Sequence, residues 1–456
     1  MQPCDKILDA AIAEGAQIIG LSGLITPSLD EMVFVAREME RRGLKIPLLI
    51  GGATTSKMHT AVKIAREYSQ PVVHVLDASR SVVVVSNLLD KLRCDDYHEE
   101  VREEYSEMRT QYLKNVAEHK YLTLAKARSR SLQTPWRELP APVKPAFLGT
   151  KVFKCVSLET LVPFIDWNPF FQVWQLRGKY PNRNYPKLFN DAAVGEQAKA
   201  LFKEAQDMLA HFIAAATVEA TGVVGFYAAN SVGDDIVLYA DESRTEVLHT
   251  LHTLRQQEEH DNIEAPYLAM ADFVAPAASG VADYVGMFAC TSGLGLDALT
   301  DKYEKEDLDD YKSIMAKALA DRLAEAFAEW LHKEVRQSAA LWGYAPDEKL
   351  DTEALLKVQY QGIRPAPGYP SQPDHTEALT MWAAMNAKAQ TGIELTEHLA
   401  MFPTASVSGL YFANPCAKYF QVGQIGKDQA EDYAARKGCS LADVEKALSQ
   451  NLAYEP

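Results

Sequence analysis

The stretch Ile46-Pro47-Leu48-Leu49-Ile50-Gly51-Gly52 is an apolar run of strand length that ends in two glycines. A similar run lies before it at residues 17–21, and a third lies after it at residues 72–76. Segments of helical character separate the runs, and strands that alternate with helices are typical of crossover units on a parallel sheet. Residues 1–92 are therefore predicted to form part of a doubly wound, Rossmann-like α/β domain.

The residues that follow the three predicted strands are mostly small or carry hydroxyl groups. They lie at 22–26, 51–54 and 77–79. Because parallel sheets bind ligands at the carboxyl ends of their strands, these segments are predicted to form the floor of one pocket. Glycine in such a floor lets a ligand come close to the backbone, which suits a large flat molecule.

Helix signals flank the predicted strands. A capping box, Ser28-Leu29-Asp30-Glu31, predicts a helix after the first strand. Residues 57–68 predict a helix after the second strand, and residues 5–13 predict one that opens the chain. Doubly wound domains usually carry about five strands. The sequence therefore suggests a domain that lacks its front part.

The segment 93–150 is predicted to be a linker. Its first part is dense in charge and predicts a solvated helix. Prolines at 135, 140, 142 and 145 then predict a stiff, extended chain and a domain boundary.

Residues 151–456 have a different character and predict a larger α+β domain with an antiparallel sheet. One hairpin is predicted within 222–239, and a second is predicted from strands at 406–412 and 418–422. A long helix is predicted over 309–336.

The composition excludes several classes of protein. Lys and Arg number 46 and Asp and Glu number 62, so the net charge is −16, which argues against nucleic-acid binding. No apolar run has the length of a membrane helix, and the first residues lack the features of a signal peptide. The six cysteines are scattered without zinc-site spacing, which predicts reduced thiols in a cytoplasmic protein.

Three short motifs suggest catalysis or nucleotide binding but lack key residues. The segment 51–58 has Ser56 and Met58 where a phosphate-binding loop needs Gly and Ser or Thr. Gly293-Leu294-Gly295 lacks a third glycine. His249-Thr250-Leu251-His252 is predicted to lie on a solvated helix, without the glutamate of a metalloprotease.

The segment Arg364-Pro365-Ala366-Pro367-Gly368-Tyr369-Pro370 contains three prolines and one glycine, so it cannot form a helix or a central strand. A rigid irregular backbone is suited to presenting an arginine and carbonyl groups to a ligand. A purely structural Pro-rich loop is the alternative that the residues leave open.

These segments resemble those of one family, the cobalamin-dependent methionine synthases. Residues 20–28 and 50–56 resemble its cobalamin-binding domain. Residues 166–171, 320–326 and 364–370 resemble its C-terminal activation domain, which binds S-adenosylmethionine. The resemblance implies domains at 1–92 for cobalamin and 151–456 for activation.

The resemblance also implies that parts of the full enzyme are missing. The Asp-x-His-x-x-Gly loop that supplies the cobalt-ligating histidine is absent, since neither His59 nor His74 lies in that context. The zinc-containing homocysteine module and the folate module are absent as well. The chain is therefore expected to be a fragment that holds no metal ligand of its own and does not make methionine alone.

By resemblance, five positions near the predicted strand ends contact cobalamin, namely Ser22, Thr26, Gly51, Gly52 and Ala78. Tyr369 matches a residue that faces the cobalt. Whether His375 contacts a cofactor or only starts a helix stays open.

By the same resemblance, a second set of residues holds S-adenosylmethionine. Arg364 would clamp the carboxylate of the ligand, and an acidic residue would answer its ammonium group. Two positions depart from the family pattern, because Val358 stands where an acidic residue is expected and Phe420 where a tyrosine is expected. The predicted contacts are Asp166, Glu325, Arg364, Ala366, Tyr419 and Phe420.

The resemblance implies a function in reactivation. One electron, from a flavodoxin-type or related reductase, and one methyl group, from S-adenosylmethionine, would convert inactive cob(II)alamin to methylcobalamin. The protein would mainly position the reactants, and no catalytic nucleophile or base is predicted. Two alternatives remain, namely a corrinoid and S-adenosylmethionine binding module that serves a separate methyltransferase, and a truncated chain without catalytic function.

Overall fold

The computed structural model describes residues 2–23, 27–118, 120–260, 262 and 264–455. The chain forms two compact units. Unit 1 comprises Met1–Lys126, Gln257–Ala265 and Gly423–Pro456, and unit 2 comprises Ala127–Gln256 and Pro266–Val422.

The strands fall into three sheets. They are β1 Ile19–Ser22, β2 Leu48–Gly51, β3 Val72–His74, β4 Gly149–Phe153, β5 Glu219–Val232, β6 Asp235–Tyr239, β7 Val247–His252, β8 Asp283–Leu294, β9 Glu394–Leu395, β10 Met401–Phe402 and β11 Ser406–Tyr411.

The α-helices range from three residues to 28. They are α1 Cys4–Ala13, α2 Pro27–Arg41, α3 Lys57–His59, α4 Ala78–Leu89, α5 Cys94–Glu118, α6 Leu124–Ser129, α7 Leu158–Leu161, α8 Trp167–Val173, α9 Gly195–Ala215, α10 Leu296–Asp301, α11 Asp310–Gln337, α12 Thr352–Leu356, α13 Glu377–Met385, α14 Ala387–Thr391, α15 Lys427–Lys437 and α16 Leu441–Ala447. Short π or 3-10 helices lie at Thr60–Ile64, Ala65–Glu67, Val162–Phe164, Lys187–Asn190, Met270–Phe273, Ala277–Ser279 and Lys302–Glu306.

Unit 1 contains the predicted parallel sheet. Strands β1, β2 and β3 are parallel and adjacent in that order. Leu48 and Ile50 of the central strand are completely buried, as expected for a strand with helices on both faces. The prediction of a small doubly wound sheet is confirmed, and its strand ends meet at one edge.

The boundaries between the two compact units differ from the domain boundaries predicted at 92 and 150. Helix α5 is not a solvated linker, because it packs on the parallel sheet through Tyr105, which is buried and accepts a hydrogen bond from the His74 amide at 2.9 Å. The C-terminal segment also belongs to unit 1, where the Ser449 hydroxyl donates to the Asp30 carboxylate at 2.8 Å. The sequence of α5 did not indicate its contact with the sheet, since most of its positions are charged and few are apolar.

Unit 2 is built on a six-stranded antiparallel sheet in the order β11-β8-β5-β6-β7, with β4 paired to β5. Strands β5 and β8 are buried on both faces, because alternate residues face two different cores. Phe288 and Cys290 belong to the core that includes helix α11, whereas Met287 and Ala289 belong to the opposite one. The predicted hairpin at 222–239 and the long helix are confirmed.

Three local predictions are wrong. Residues 249–252 lie in strand β7, where they pair with β6, and not on a helix. Residues 418–422 do not pair with β11, because the Val422 amide donates to the Pro370 carbonyl, while β11 pairs with β8. Ser28 is inside α2, which already begins at Pro27, so it is not the capping residue.

Candidate functional site

The Pro-rich loop at 364–370 is fastened to edge strand β11. The amides and carbonyls of Ile363 and Phe412 exchange two hydrogen bonds of 3.1 Å, and the Leu410 amide donates to the Pro365 carbonyl at 2.8 Å. Gly362, with a φ of +82°, allows this approach, because a Cβ there would lie 2.2 Å from the Phe412 carbonyl oxygen. The loop is therefore held as a rigid irregular segment.

The guanidinium of Arg364 lies at the start of this loop and is paired with helix α11. Its Nη2 donates to Glu329 Oε2 at 2.5 Å, and the Glu329 side chain is only 5% exposed. Burial lowers the pKa of Arg364, but the hydrogen bond and the charge of Glu329 outweigh it and raise that pKa above its usual value. The Arg364 guanidinium is therefore fully charged at neutral pH.

Tyr419 lies beside the same arginine. Its hydroxyl accepts a hydrogen bond from the Arg364 amide at 3.0 Å, and the Tyr419 side chain is partly exposed. A second hydrogen bond joins the hydroxyls of Tyr419 and Tyr360. Burial raises the pKa of Tyr360, although the charge of Arg364 opposes the rise, so the Tyr360 hydroxyl stays protonated.

Glu325 and Tyr369 are also brought together. Tyr369 is 65% exposed, and partial burial of its phenol, followed by the charge of Glu325, raises its pKa. Ala366 lies between Arg364 and Tyr369 in the chain, and its carbonyl accepts a hydrogen bond from the Tyr369 amide at 3.2 Å. Four of the predicted residues, Glu325, Arg364, Ala366 and Tyr419, thus lie on the loop and the elements beside it.

Two other predicted residues make contacts of a different kind. Asp166 is the N-cap of α8 and accepts from the amide and side chain of Asn168, so no hydrogen bond joins it to Arg364 in the described part of the chain. The Phe420 ring packs against Phe273 with 6.0 Å between centroids.

His375 packs against the Pro-rich loop at 364–370. Its Nε2 is 2.9 Å from the Leu399 carbonyl oxygen, and its ring lies under Gly368, where a Cβ would be 2.4 Å from Nδ1. Helix α13 begins two residues later. The histidine therefore fixes the shape of the loop.

Sequence reasoning missed three members of a polar stripe on α11 that begins at the predicted residue Glu325. Glu325, Glu329, His332 and Arg336 follow one another at intervals of four, three and four residues, which puts them on one face. Three of them are buried among apolar neighbours. Charged residues on an otherwise apolar helical face were the signal that could have revealed them.

The stripe contains several unpaired polar atoms. His332 Nε2 is 3.1 Å from the Tyr344 hydroxyl, and burial, followed by the nearby arginines, holds the pKa of His332 well below its usual range. Among the described residues, Glu329 Oε1, His332 Nδ1 and both Nη atoms of Arg336 have no hydrogen-bond partner although solvent does not reach them, and the same holds for Nη1 of the neighbouring Arg364.

A second candidate site lies at the strand ends of unit 1. Ser22, Gly51 and Gly52 line a cavity of about 650 Å³ together with His74. Gly52 has a φ of +102°, and a Cβ there would lie 2.3 Å from the Gly23 carbonyl oxygen. The floor is therefore backbone, open to a flat ligand group.

Two predicted cobalamin contacts remain, Thr26 and Ala78. Thr26 lies outside the described residues, and Ala78 is the first residue of α4.

No group of three or more His, Cys, Asp or Glu side chains could hold a metal ion in the described ranges. None of the helices described is long and apolar enough to cross a membrane.

Comparison with known proteins agrees on one family. Residues 157–438 match the family model described as vitamin B12 dependent methionine synthase, activation domain. A crystal structure of the MetH reactivation domain bound to AdoHcy is 50% identical in sequence, with a TM-score of 0.70. The match covers 74% of this chain and 99% of that one.

Proposed function

The chain belongs to the family of the activation domain of vitamin B12-dependent methionine synthase, and from this premise we propose that it presents S-adenosylmethionine for the reductive remethylation of cobalamin. The half-buried, charged Arg364 beside Tyr419 is the observation that carries the proposal. A guanidinium is the side chain best suited to grip the carboxylate at the amino-acid end of this ligand.

The remaining predicted contacts are assigned by the chemistry of the ligand. Glu325 or Asp166 would form an ion pair with the ammonium group. Ala366 would contact the ligand through its backbone, and Tyr419 through its ring face or its hydroxyl. Phe420 is the remaining predicted contact, but its ring packs on Phe273 and its amide and carbonyl both bond to the Ser371 hydroxyl. The methyl group would remain free, since it must leave.

The strand ends of unit 1 fit the tail of cobalamin. Ser22, Gly51 and Gly52 would line the slot, with Thr26 and Ala78 beside them. When bound, the cofactor supplies the cobalt centre that takes up an electron and a methyl group. The backbone floor at Gly52 supports this fit, because Gly52 packs so closely on the Gly23 backbone that no side chain can stand there.

The chain's own residues would therefore bind, orient and exclude water rather than exchange protons. Tyr369, on the rigid loop, would face the cobalt. A flavodoxin-type or related reductase would be the electron donor, and homocysteine- and folate-binding modules would complete a methyltransferase.

Titration calorimetry with S-adenosylhomocysteine, the product form of the methyl donor, tests the proposal. Arg364→Ala should weaken binding at least about tenfold, equivalent to about 1.4 kcal/mol. Arg183→Ala, which removes an exposed arginine of unit 2, should leave the affinity unchanged. Folded wild-type protein that takes up no ligand would rule the proposal out.

A further inference from the structure

Helix α11 carries a carboxylate where an apolar side chain would ordinarily lie. Glu329 is 3% exposed and is flanked in the helix by the buried residues Ala328 and Leu331. Taking a carboxylate out of water is costly unless it gains a charged partner. Its partner is Arg364, which follows 35 residues later in the chain.

The ion pair uses only part of each group. Glu329 Oε2 accepts from Arg364 Nη2, whereas Oε1 of the glutamate and Nη1 of the arginine have no partner among the described residues. Arg336 also keeps two unpaired nitrogens, so an open donor points to a ligand only at Arg364, which lies on the Pro-rich loop beside Tyr419. Here one edge of the guanidinium is fixed and a further donor is left available.

The backbone of Arg364 is fixed as well. Its amide donates to the Tyr419 hydroxyl, and the residue before it is bridged to Phe412, which directly follows β11. An arginine side chain carries considerable rotamer entropy, which a ligand must otherwise remove on binding. The only ion pair that restrains this guanidinium, within the described ranges, is the one with Glu329.

We propose that Glu329 is a positioning residue that orients the Arg364 guanidinium toward the carboxylate of an amino-acid ligand. The inference rests on the proposed function, since it assigns Arg364 the same ligand. Glu329 acts through Arg364 and need not contact the ligand. It lowers the entropic cost of binding by holding the guanidinium in place before the ligand arrives.

The charges around the pair define the competing explanation. Arg336 lies on the next turns of α11 and has its own partner in Glu348, while His332 between them is neutral. If Glu329 served only to cancel the charge of Arg364, removing it would free the guanidinium and strengthen carboxylate binding. Positioning predicts the opposite direction.

The test uses two ligands that differ at the amino-acid end. S-adenosylhomocysteine has that end, and 5′-methylthioadenosine has the nucleoside and sulfur without it. Glu329→Gln should weaken S-adenosylhomocysteine about tenfold and leave 5′-methylthioadenosine within about twofold. Glu329→Asp, which keeps the charge on a shorter side chain, should recover part of the loss.

A double mutant separates positioning from a general effect on the fold. In the Arg364→Ala background, Glu329→Gln should cause no further loss of S-adenosylhomocysteine affinity, because the residue acts through that arginine. An unchanged or tighter affinity in Glu329→Gln, equal losses for both ligands, or additive losses in the double mutant would each overturn the proposal. If Glu329→Gln does not fold, the Glu329→Asp and double-mutant measurements decide.

The failure of the proposed function would look different. It would appear as unchanged S-adenosylhomocysteine affinity in Arg364→Ala itself. A loss in Arg364→Ala together with no loss in Glu329→Gln would overturn only the positioning role.

Discussion

The slot of unit 1 and the cradle around Arg364 in unit 2 are built by opposite means. The slot is backbone and small side chains at the ends of adjacent parallel strands. The cradle consists of the charged and aromatic side chains around Arg364, of which Glu329 is buried and Tyr419 is partly exposed, and these two residues lie 35 and 55 positions from Arg364. One site depends on the space that glycine leaves open, and the other depends on charges held away from water.

The arginines of the two units show the same contrast. In unit 1, Arg42 pairs with Asp5 and Asp9, whose side chains are mostly exposed. In unit 2, Arg336 is completely buried and pairs with Glu348. Exposed pairs contribute little to stability, whereas breaking a buried pair leaves a charge without compensation.

The largest expected effect tests this contrast directly. Glu348→Ala should lower the free energy of unfolding of unit 2 by about 3–5 kcal/mol, because Arg336 would remain buried without its carboxylate. Denaturant unfolding, followed by hydrogen exchange in β5 and β8, measures the change.

Asp9→Ala is the matched control in unit 1. It removes an exposed partner of Arg42 and should cost no more than about 1 kcal/mol. Similar costs for the two variants would break the distinction between the units.

A second prediction concerns the backbone floor of unit 1. Gly52→Ala should destabilise that unit by about 3 kcal/mol, because alanine is strained at a φ of +102° and its Cβ would collide with the Gly23 carbonyl. Gly20→Ala is the control, since a Cβ at that position meets no atom within 4 Å. Equal melting curves for the two variants would show that the floor is not rigid.

The difference between the sites also explains what the sequence could predict. Residues 51 and 52 were predicted to form a pocket floor because strand, glycine and pocket edge are consecutive in the chain. Glu329 was missed because its partner is far away in sequence. Likewise residues 418–422 resemble a strand locally, but the strand that pairs with β11 is β8, more than 100 residues earlier.

The resemblance to a known family supplied the long-range information that local patterns lack. It singled out Arg364 and Tyr419, which the fold brings into contact. It also singled out Asp166, whose hydrogen bonds go to Asn168. Polar residues such as Glu329 and Arg364 can be seen in the sequence, but which of them pair depends on how helix α11 packs against the loop at 364–370.

A third prediction uses pH. Burial raises the pKa of Asp283 in unit 2 to about 6, despite hydrogen bonds from the Ala275 and Tyr284 amides. The folded state therefore holds its proton more tightly than the unfolded state, whose pKa is about 3.9. Stability from this group is greatest below about pH 4, falls as the pH rises to about 6, and then stays constant.

The contribution of Asp283 to the free energy of unfolding should fall by about 2–3 kcal/mol between about pH 4 and pH 6. It is measured as the difference in unfolding free energy between wild type and Asp283→Asn, which cancels the other titrating groups. A difference that does not change between pH 4 and pH 6 would contradict a buried, destabilised carboxylate.

The smallest effect is expected where unit 1 does bury a charge, at the contact between α2 and the C-terminal segment. Burial raises the pKa of Asp30, and the hydrogen bond from the Ser449 hydroxyl opposes that rise. Ser449→Ala should cost about 1 kcal/mol, because the carboxylate keeps its desolvation and loses a donor. Hydrogen exchange in α2 and α16 should quicken together, whereas Ser86→Ala, which removes a bond within α4 only, should leave both helices unchanged. If α16 alone responds, the C-terminal segment is a surface attachment, and unit 1 owes none of its stability to this buried carboxylate.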